Sequence, residues 1–323
     1  MEIMNILKAT VFMFLVVLGL PGNVFILLKF ACVKISEGKL LVTNTILMFL
    51  SAMNLFVVLS RVFLQILHAV GVENFMDDNN CRFAFFIYRV GRAMSICVTG
   101  LLSCYQCILI APNKKLWMIL KLKATKHSLF CIISILIFIN CCFYTSALLY
   151  NSANRNSTTS PFTLHLVYCH TDFRTSFSYV AYGTIYTVRD FLCVGVMTLA
   201  SSYIVYILLS HRKTSKYFKK SDSDQSTSME YKASRAIILL VALYVIIFGL
   251  ENIIWLYTLT ISSPNIAIND VRIVLSCSYA ALSPVVIIRT NPQLHKNVKT
   301  LIQIQLQSGK RKRNVACVSG SVK

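Results

Sequence analysis

Six ionisable residues lie inside long apolar stretches of this sequence and are its strongest candidates for chemistry: Arg61, Arg89, Arg92, Arg189, Asp190 and Glu251. In a low-dielectric setting a guanidinium forms short, often bidentate bonds to carboxylate or phosphate groups. The chemistry on offer is therefore anion recognition. Arg89 and Arg92 are three residues apart and share a helical face. Arg189 and Asp190 are adjacent, so on a helix they diverge by about 100° and are expected to satisfy one another poorly. Asp190 and Glu251 are then expected to face Arg89 and Arg92. Four arginines against two carboxylates leave surplus positive charge, which favours a pocket for a small anionic or strongly polar ligand. The plainer alternative is a structural ion-pair network that touches no ligand.

Catalytic motifs are missing. The sequence has no Gly-rich phosphate loop, no His-Glu-x-x-His helix and no nucleophile elbow. Its six histidines fall in loops or at helix ends. No catalytic residue, cofactor or metal centre is expected.

The elements that must position the six charges follow from composition. Of 323 residues, 56% are hydrophobic and only 14% charged, with a mean hydropathy of +0.65. A soluble domain carries about a quarter charged residues, so most of this chain must face lipid or protein. Seven apolar runs, near 6–28, 41–70, 81–111, 128–150, 177–209, 236–261 and 267–288, each suit a membrane crossing. Backbone groups in hydrocarbon must be satisfied internally, which makes the runs helices. The expected fold is all-α, a bundle of seven transmembrane helices over residues 1–290, followed by a cytoplasmic tail, 291–323. The first run follows an acidic Glu2, exceeds the length of a secretory signal core and is read as a retained helix.

Orientation comes from lysine and arginine. Lys29, Lys34 and Lys39 follow the first run; Lys114, Lys115, Lys121, Lys123 and Lys126 follow the third; Arg212 to Arg235 follow the fifth; Arg289 and the run 310–313 lie in the tail. Alternate gaps hold mostly Arg155 and Arg174 beside Glu73, Asp77, Asp78 and Asp172, placing the amino terminus outside and the carboxyl terminus inside. The formal charge of +20 therefore reflects membrane topology, and nucleic acid is excluded as a partner. Two outer-loop features agree with that orientation. Asn156-Ser157-Thr158 is a glycosylation sequon. Cys81 and Cys169 are the cysteines best placed in the oxidising compartment, where a bridge would pin the loop over the bundle. The other cysteines are read as small apolar fillers. In the tail, Asn291-Pro292 opens an amphipathic helix carrying Leu294, Val298, Leu301 and Ile302, and Cys317 is a lipidation candidate.

At the third run the chain resembles a known family. Tyr88-Arg89-Val90-Gly91-Arg92-Ala93-Met94-Ser95, Leu101 to Gln106 and Ile110-Ala111-Pro112 are similar to the vomeronasal type 1 receptors, including the fish olfactory receptors related to them. Asn54 to Arg61, Arg189-Asp190-Phe191-Leu192, Lys232 to Ala236 and Leu282-Ser283-Pro284 support the resemblance. It covers most of the chain.

The resemblance implies a plasma-membrane G-protein-coupled receptor for a small-molecule pheromone or odorant, signalling through an inhibitory-type G protein. Tyr105, Gln106, Lys121, Lys123 and Arg235, on the inner side, are the expected G-protein contacts. The chain departs from the wider rhodopsin-like pattern. Tyr105-Gln106-Cys107 replaces an acidic-Arg-Tyr triplet, Asn54 stands in place of a second-helix aspartate, and Ser283-Pro284 replaces Asn-Pro-x-x-Tyr. A bitter taste receptor is the nearest rival reading. A transporter or channel is the rival from another class.

Overall fold

In the computed structural model, residues 2–72, 77–112, 114–153, 163–165, 169–172, 175–217, 224–260, 266–291 and 294 are described. Seven helical segments among them are long and apolar enough to cross a membrane. The first is α1 (Glu2–Glu37). The second joins α2 (Val42–Val57), a π-helical stretch (Val58–Phe63) and α3 (Leu64–Ala69). The third is α4 (Asp78–Ile110). A short inner helix, α5 (Lys115–Lys123), leads to the fourth span, α6 (Lys126–Phe143). After a break at Tyr144, α7 (Thr145–Tyr150) continues outward. The last three spans are α8 (Ser176–Tyr217), α9 (Asp224–Thr260) and α10 (Ile266–Thr290). All seven apolar runs are borne out as spans.

Three strands in the outer loop were not foreseen: β1 (Asn151–Ala153), β2 (Thr163–His165) and β3 (Cys169–Asp172), with β3 central and antiparallel to both neighbours. Cys169 on β3 is disulfide-bonded to Cys81 in the first turn of α4, as expected from the sequence. Arg82 Nε donates to the Asn151 carbonyl (2.9 Å), so β1 is tied to the same helix end. Asn156, the run 310–313, Cys317 and the tail helix, Leu294 excepted, lie outside the described residues.

The third span is the hub. Its most apolar window is 56% buried within the protein, against 17% for the fourth span, which faces mainly lipid. Accordingly α4 packs on α2, α6, α8 and α9. Two apolar clusters stack along the bundle. One includes Phe12, Val58, Phe85 and Ala281, towards the outside, and the other Ile26, Leu47, Leu102 and Leu240, towards the inside.

Where the clusters meet, buried polar groups satisfy one another. Pro284 has no N–H, so the carbonyl four residues earlier loses its helical partner. That carbonyl belongs to Ala280, and Asn23 Nδ2 from α1 donates to it at 3.0 Å. Beside it Asn54 Nδ2 donates to Ser283 Oγ (2.8 Å), and Ser95 Oγ donates to Asn54 Oδ1 (2.6 Å). One buried amide on each of the first two helices thus serves the broken turn of α10.

Close approach of α1 to α10 depends on glycine. A Cβ on Gly19 would stand 3.0 Å from both Ala281 Cα and Val58 Cγ2, and one on Gly22 would meet Pro284 Cβ at 2.9 Å. Small residues at such contacts let transmembrane backbones pack tightly. Gly19→Ala is expected to force α1 away and cost about 1–3 kcal/mol. A lower melting temperature of the solubilised protein would register it.

Candidate functional site

Of the six charges singled out in the sequence, Arg92 and Glu251 meet as expected. Arg92 Nη2 lies 2.6 Å from Glu251 Oε2, joining α4 to α9. With Ser95, Tyr244, Phe248 and Tyr279 they line a narrow cavity of about 20 Å³. That is room for about one water molecule, with one charged wall and the rest aromatic, hydroxylic or, at Val57, Ile247 and Ala280, aliphatic. Thr99 Oγ1 gives its hydrogen to the Ser95 carbonyl, so the Tyr279 hydroxyl, 2.8 Å away, is placed to donate to Thr99. Tyr244 packs edge-on against Tyr279, with centroids 5.0 Å apart, and fixes the ring beneath the ion pair.

Arg189 and Asp190 correct the sequence expectation. Their side chains pair with each other through Nη2 and Oδ1, reinforced by Nε to Oδ1 at 3.1 Å. The long, flexible arginine arm curls back over the 100° between adjacent helical positions, a freedom that backbone spacing does not record. The other end of the guanidinium donates from Nη1 to Asn140 Oδ1 (3.1 Å) on α6 and lies over the Tyr144 ring, 5.2 Å from its centroid. Asp190 is therefore held by its own neighbour. It still stands within electrostatic reach of Arg92.

Arg61, in the outer third of its span, faces the bundle, 2% exposed, with its guanidinium 5.3 Å from the Phe85 centroid and 5.4 Å from that of Tyr88. It lies in the π-helical stretch, whose wider turn shifts the phase of the residues that follow. Regular 3.6-residue spacing cannot foresee that shift. Two ring faces give the cation an attraction that strengthens on desolvation. Tyr88 is held in turn by its hydroxyl, which donates to Ser276 Oγ on α10 (2.9 Å).

Arg89 does not join Arg92 and Glu251. It lies over Phe85 and Tyr186, 5.1 and 5.7 Å from their centroids, on the side of α4 that meets α8.

Three ionisable residues escaped the sequence reading. Lys8 Nζ of α1 pairs with Asp270 Oδ2 of α10 at 2.6 Å. Arg272, two residues on, lies within electrostatic reach of Arg89, Arg92 and Glu251. The signal was available, since both residues of α10 lie in the outer first turns of an apolar run, the same criterion that picked out Arg61. With these included, the named cations are Arg61, Arg89, Arg92, Arg189, Arg272 and Lys8, and the named carboxylates Asp190, Glu251 and Asp270. Among these named charges the cations still outnumber the carboxylates.

On the inner side the expected contact residues divide. Gln106 is buried and donates to Thr43 Oγ1 (3.1 Å), which ties α4 to α2. Lys121 Nζ donates to the Ala111 carbonyl (2.8 Å), a cation closing the carboxyl end of α4. Tyr105 is half-buried, whereas Lys123 and Arg235 are exposed. Trp117 of α5 stacks on Tyr203 of α8, with centroids 5.7 Å apart, so the inner loop is docked on the fifth span.

This architecture and its charges can be set beside known proteins. Residues 6–300 match the profile of the vomeronasal organ pheromone receptor family. Olfactory receptor class A-like protein 1 of Danio rerio is 35% identical over 295 residues, covering 91% of this chain and 92% of that protein. Vomeronasal type-1 receptor 3 of Homo sapiens is 30% identical over 227 residues, 70% of this chain and 73% of that one. Vomeronasal type-1 receptor 90 of Rattus norvegicus is 27% identical over 304 residues, with 91% and 94% covered.

Proposed function

The chain belongs to the vomeronasal organ pheromone receptor family, and from that premise we propose that it detects a small ligand with an anionic or strongly polar head, held at the outer mouth of its bundle. Membership makes it a chemosensory G-protein-coupled receptor, multi-pass in the plasma membrane and not an enzyme. The bitter-receptor and transporter readings give way to it.

The observation that carries the ligand reading is the Arg92–Glu251 pair in the cavity wall, set among more cations than carboxylates. An incoming anion competes with Glu251 for Arg92 and finds Arg89 and Arg272 nearby, while its apolar body replaces water against Tyr244, Phe248 and Tyr279. The cavity must widen to admit it. Ligand binding is then strongest in a bundle whose α4–α9 contact has shifted, and that differential affinity is what drives signalling. Arg61 and Arg189, engaged by rings and by Asn140, serve packing in this reading. On the inner face, Lys123 and Arg235 meet an inhibitory-type G protein, with Tyr105 at the end of the third span. Gln106 and Lys121 act indirectly, by holding α4 and its loop in place.

The test compares small organic acids with their primary amides on cells that express the receptor. Arg89→Gln and Arg272→Gln, at normal surface expression, are expected to lower potency for the acids roughly 10- to 100-fold, the scale of a lost charge-assisted hydrogen bond, and for the amides far less. Equal losses for acid and amide would sink the anion pocket. Toxin ADP-ribosylation of inhibitory α-subunits is expected to abolish the response. Nucleotide exchange that persists undiminished in Lys123→Glu and Arg235→Glu would defeat the docking assignment.

A further inference from the structure

Midway along the bundle two cysteine thiols meet, and one amide reaches the first of them together with a buried thioether. Cys97 Sγ of α4 and Cys193 Sγ of α8 stand 4.0 Å apart, although 96 residues separate them in the chain. Asn140 Nδ2 of α6 points at Cys97 Sγ (3.9 Å) and at Met94 Sδ (3.5 Å). Met94 is fully buried and lies one helical turn before Cys97. Arg189 holds the same amide through Oδ1, so a guanidinium borders the cluster.

We propose that Cys97 and Cys193, with the Met94 thioether as third donor, form a site for a soft monovalent cation, Cu(I) or Ag(I), that clamps the third span to the fifth. Thiolate and thioether ligands select such ions. In a three-coordinate planar site with metal–sulfur bonds of about 2.3 Å, the sulfurs lie about 4.0 Å from one another, which is the spacing the two thiols already have. Among the described residues no three His, Cys, Asp or Glu side chains gather anywhere, so the site lacks the ligand set that zinc or calcium would require. On binding, each thiol releases its proton to water as its sulfur bonds the metal. The bis-thiolate complex of a monovalent ion carries one negative charge, and the Arg189 guanidinium, itself paired with Asp190, borders it through Asn140. Asn140 supplies the outer support: its amide nitrogen donates to the Leu136 carbonyl (2.8 Å) while also lying against the Met94 and Cys97 sulfurs, and its carbonyl is fixed by Arg189, as metal sites generally need. The sequence alone could not reveal this, because its donors come from two helices and a third orients them.

The full receptor in lipid nanodiscs provides the test. One equivalent of Ag(I) is expected to shield Cys97 and Cys193 together from maleimide labelling, read by peptide mass spectrometry, while Cys32 and Cys142 go on reacting. In competition with a chromophoric Cu(I) chelator, Cys97→Ser and Cys193→Ser are each expected to retain one Cu(I) fewer than the unaltered receptor, and Met94→Leu to hold it at least tenfold more weakly. Unchanged labelling of Cys97 and Cys193 in the presence of Ag(I) overturns the proposal without any variant having to fold. So does equal Cu(I) retention by the variants, or a loss of labelling that only a reductant reverses, which would identify a disulfide instead.

Discussion

Glu251→Ala is expected to cost about 3 kcal/mol of stability, the lower end of what removing one member of a buried ion pair costs. The lower end applies because the side chains of Arg92 and Glu251 keep 20% and 14% of their exposure. The loss arises less from the missing bond than from what remains, a guanidinium among aromatic rings with its carboxylate gone. The melting temperature of the solubilised receptor is expected to fall by on the order of 5 °C. Arg92→Met together with Glu251→Met removes both charges and is expected to restore most of the loss, since apolar replacement of a whole pair is often neutral or stabilising. If the double variant melts as low as Glu251→Ala, the ion pair is not the cause. The same double variant separates structure from recognition. It should reach the cell surface and still fail to respond to the acids that activate the unaltered receptor.

Cys169→Ser carries the second large effect. Its bond to Cys81 spans 88 residues of sequence. In the chain-entropy account a cross-link closing a loop of that length stabilises by roughly 4–5 kcal/mol, and removing a native disulfide typically costs about 2–5. Here the local consequences are well defined. β3 is the central strand of the outer sheet, and Thr171 hydrogen-bonds Asn151 of β1, so freeing Cys169 releases the strand that organises the other two. Arg82 still holds Asn151 from α4, which limits the damage to the outer layer. Surface delivery is expected to fall severalfold and the melting temperature to drop, with the same result for Cys81→Ser. If surface delivery is unchanged in both, other contacts hold the loop and the bridge is dispensable.

The difference between what was legible and what was not shows at individual residues. Arg92 and Glu251 could be matched from sequence, because a charge within an apolar run must find an opposite charge on another helix and few were available. Arg189 and Asp190 could not, because the reach of a flexible side chain overrides the angle between neighbouring positions. Arg61 was recognised as a charge that must face the bundle, but the rings of Phe85 and Tyr88 that receive it could not be named, because the π-helical stretch around it breaks the regular period. Asp270 and Arg272 carried the same signal as Arg61 and were missed because they stand near the end of their run, where interfacial charges are ordinary. Asn140 was not singled out in the sequence, and only its neighbours show it joining Arg189 to the sulfurs of α4.

The seven spans, their orientation, the disulfide and the family resemblance could all be read from the order of residues. They follow from one-dimensional quantities, namely the length of apolar runs, the side on which lysine and arginine gather, and the succession of residues in the third span. Packing of the helices settled the rest: which arginine meets which carboxylate, which rings take the others, how Asn23 answers the carbonyl that Pro284 leaves open, and where a cavity remains. Hydrocarbon imposes the same demand on every buried polar group, to find a partner within the bundle, and does not specify which. The choice among partners depends on helix phase, crossing and side-chain reach, which exist only once the helices have packed.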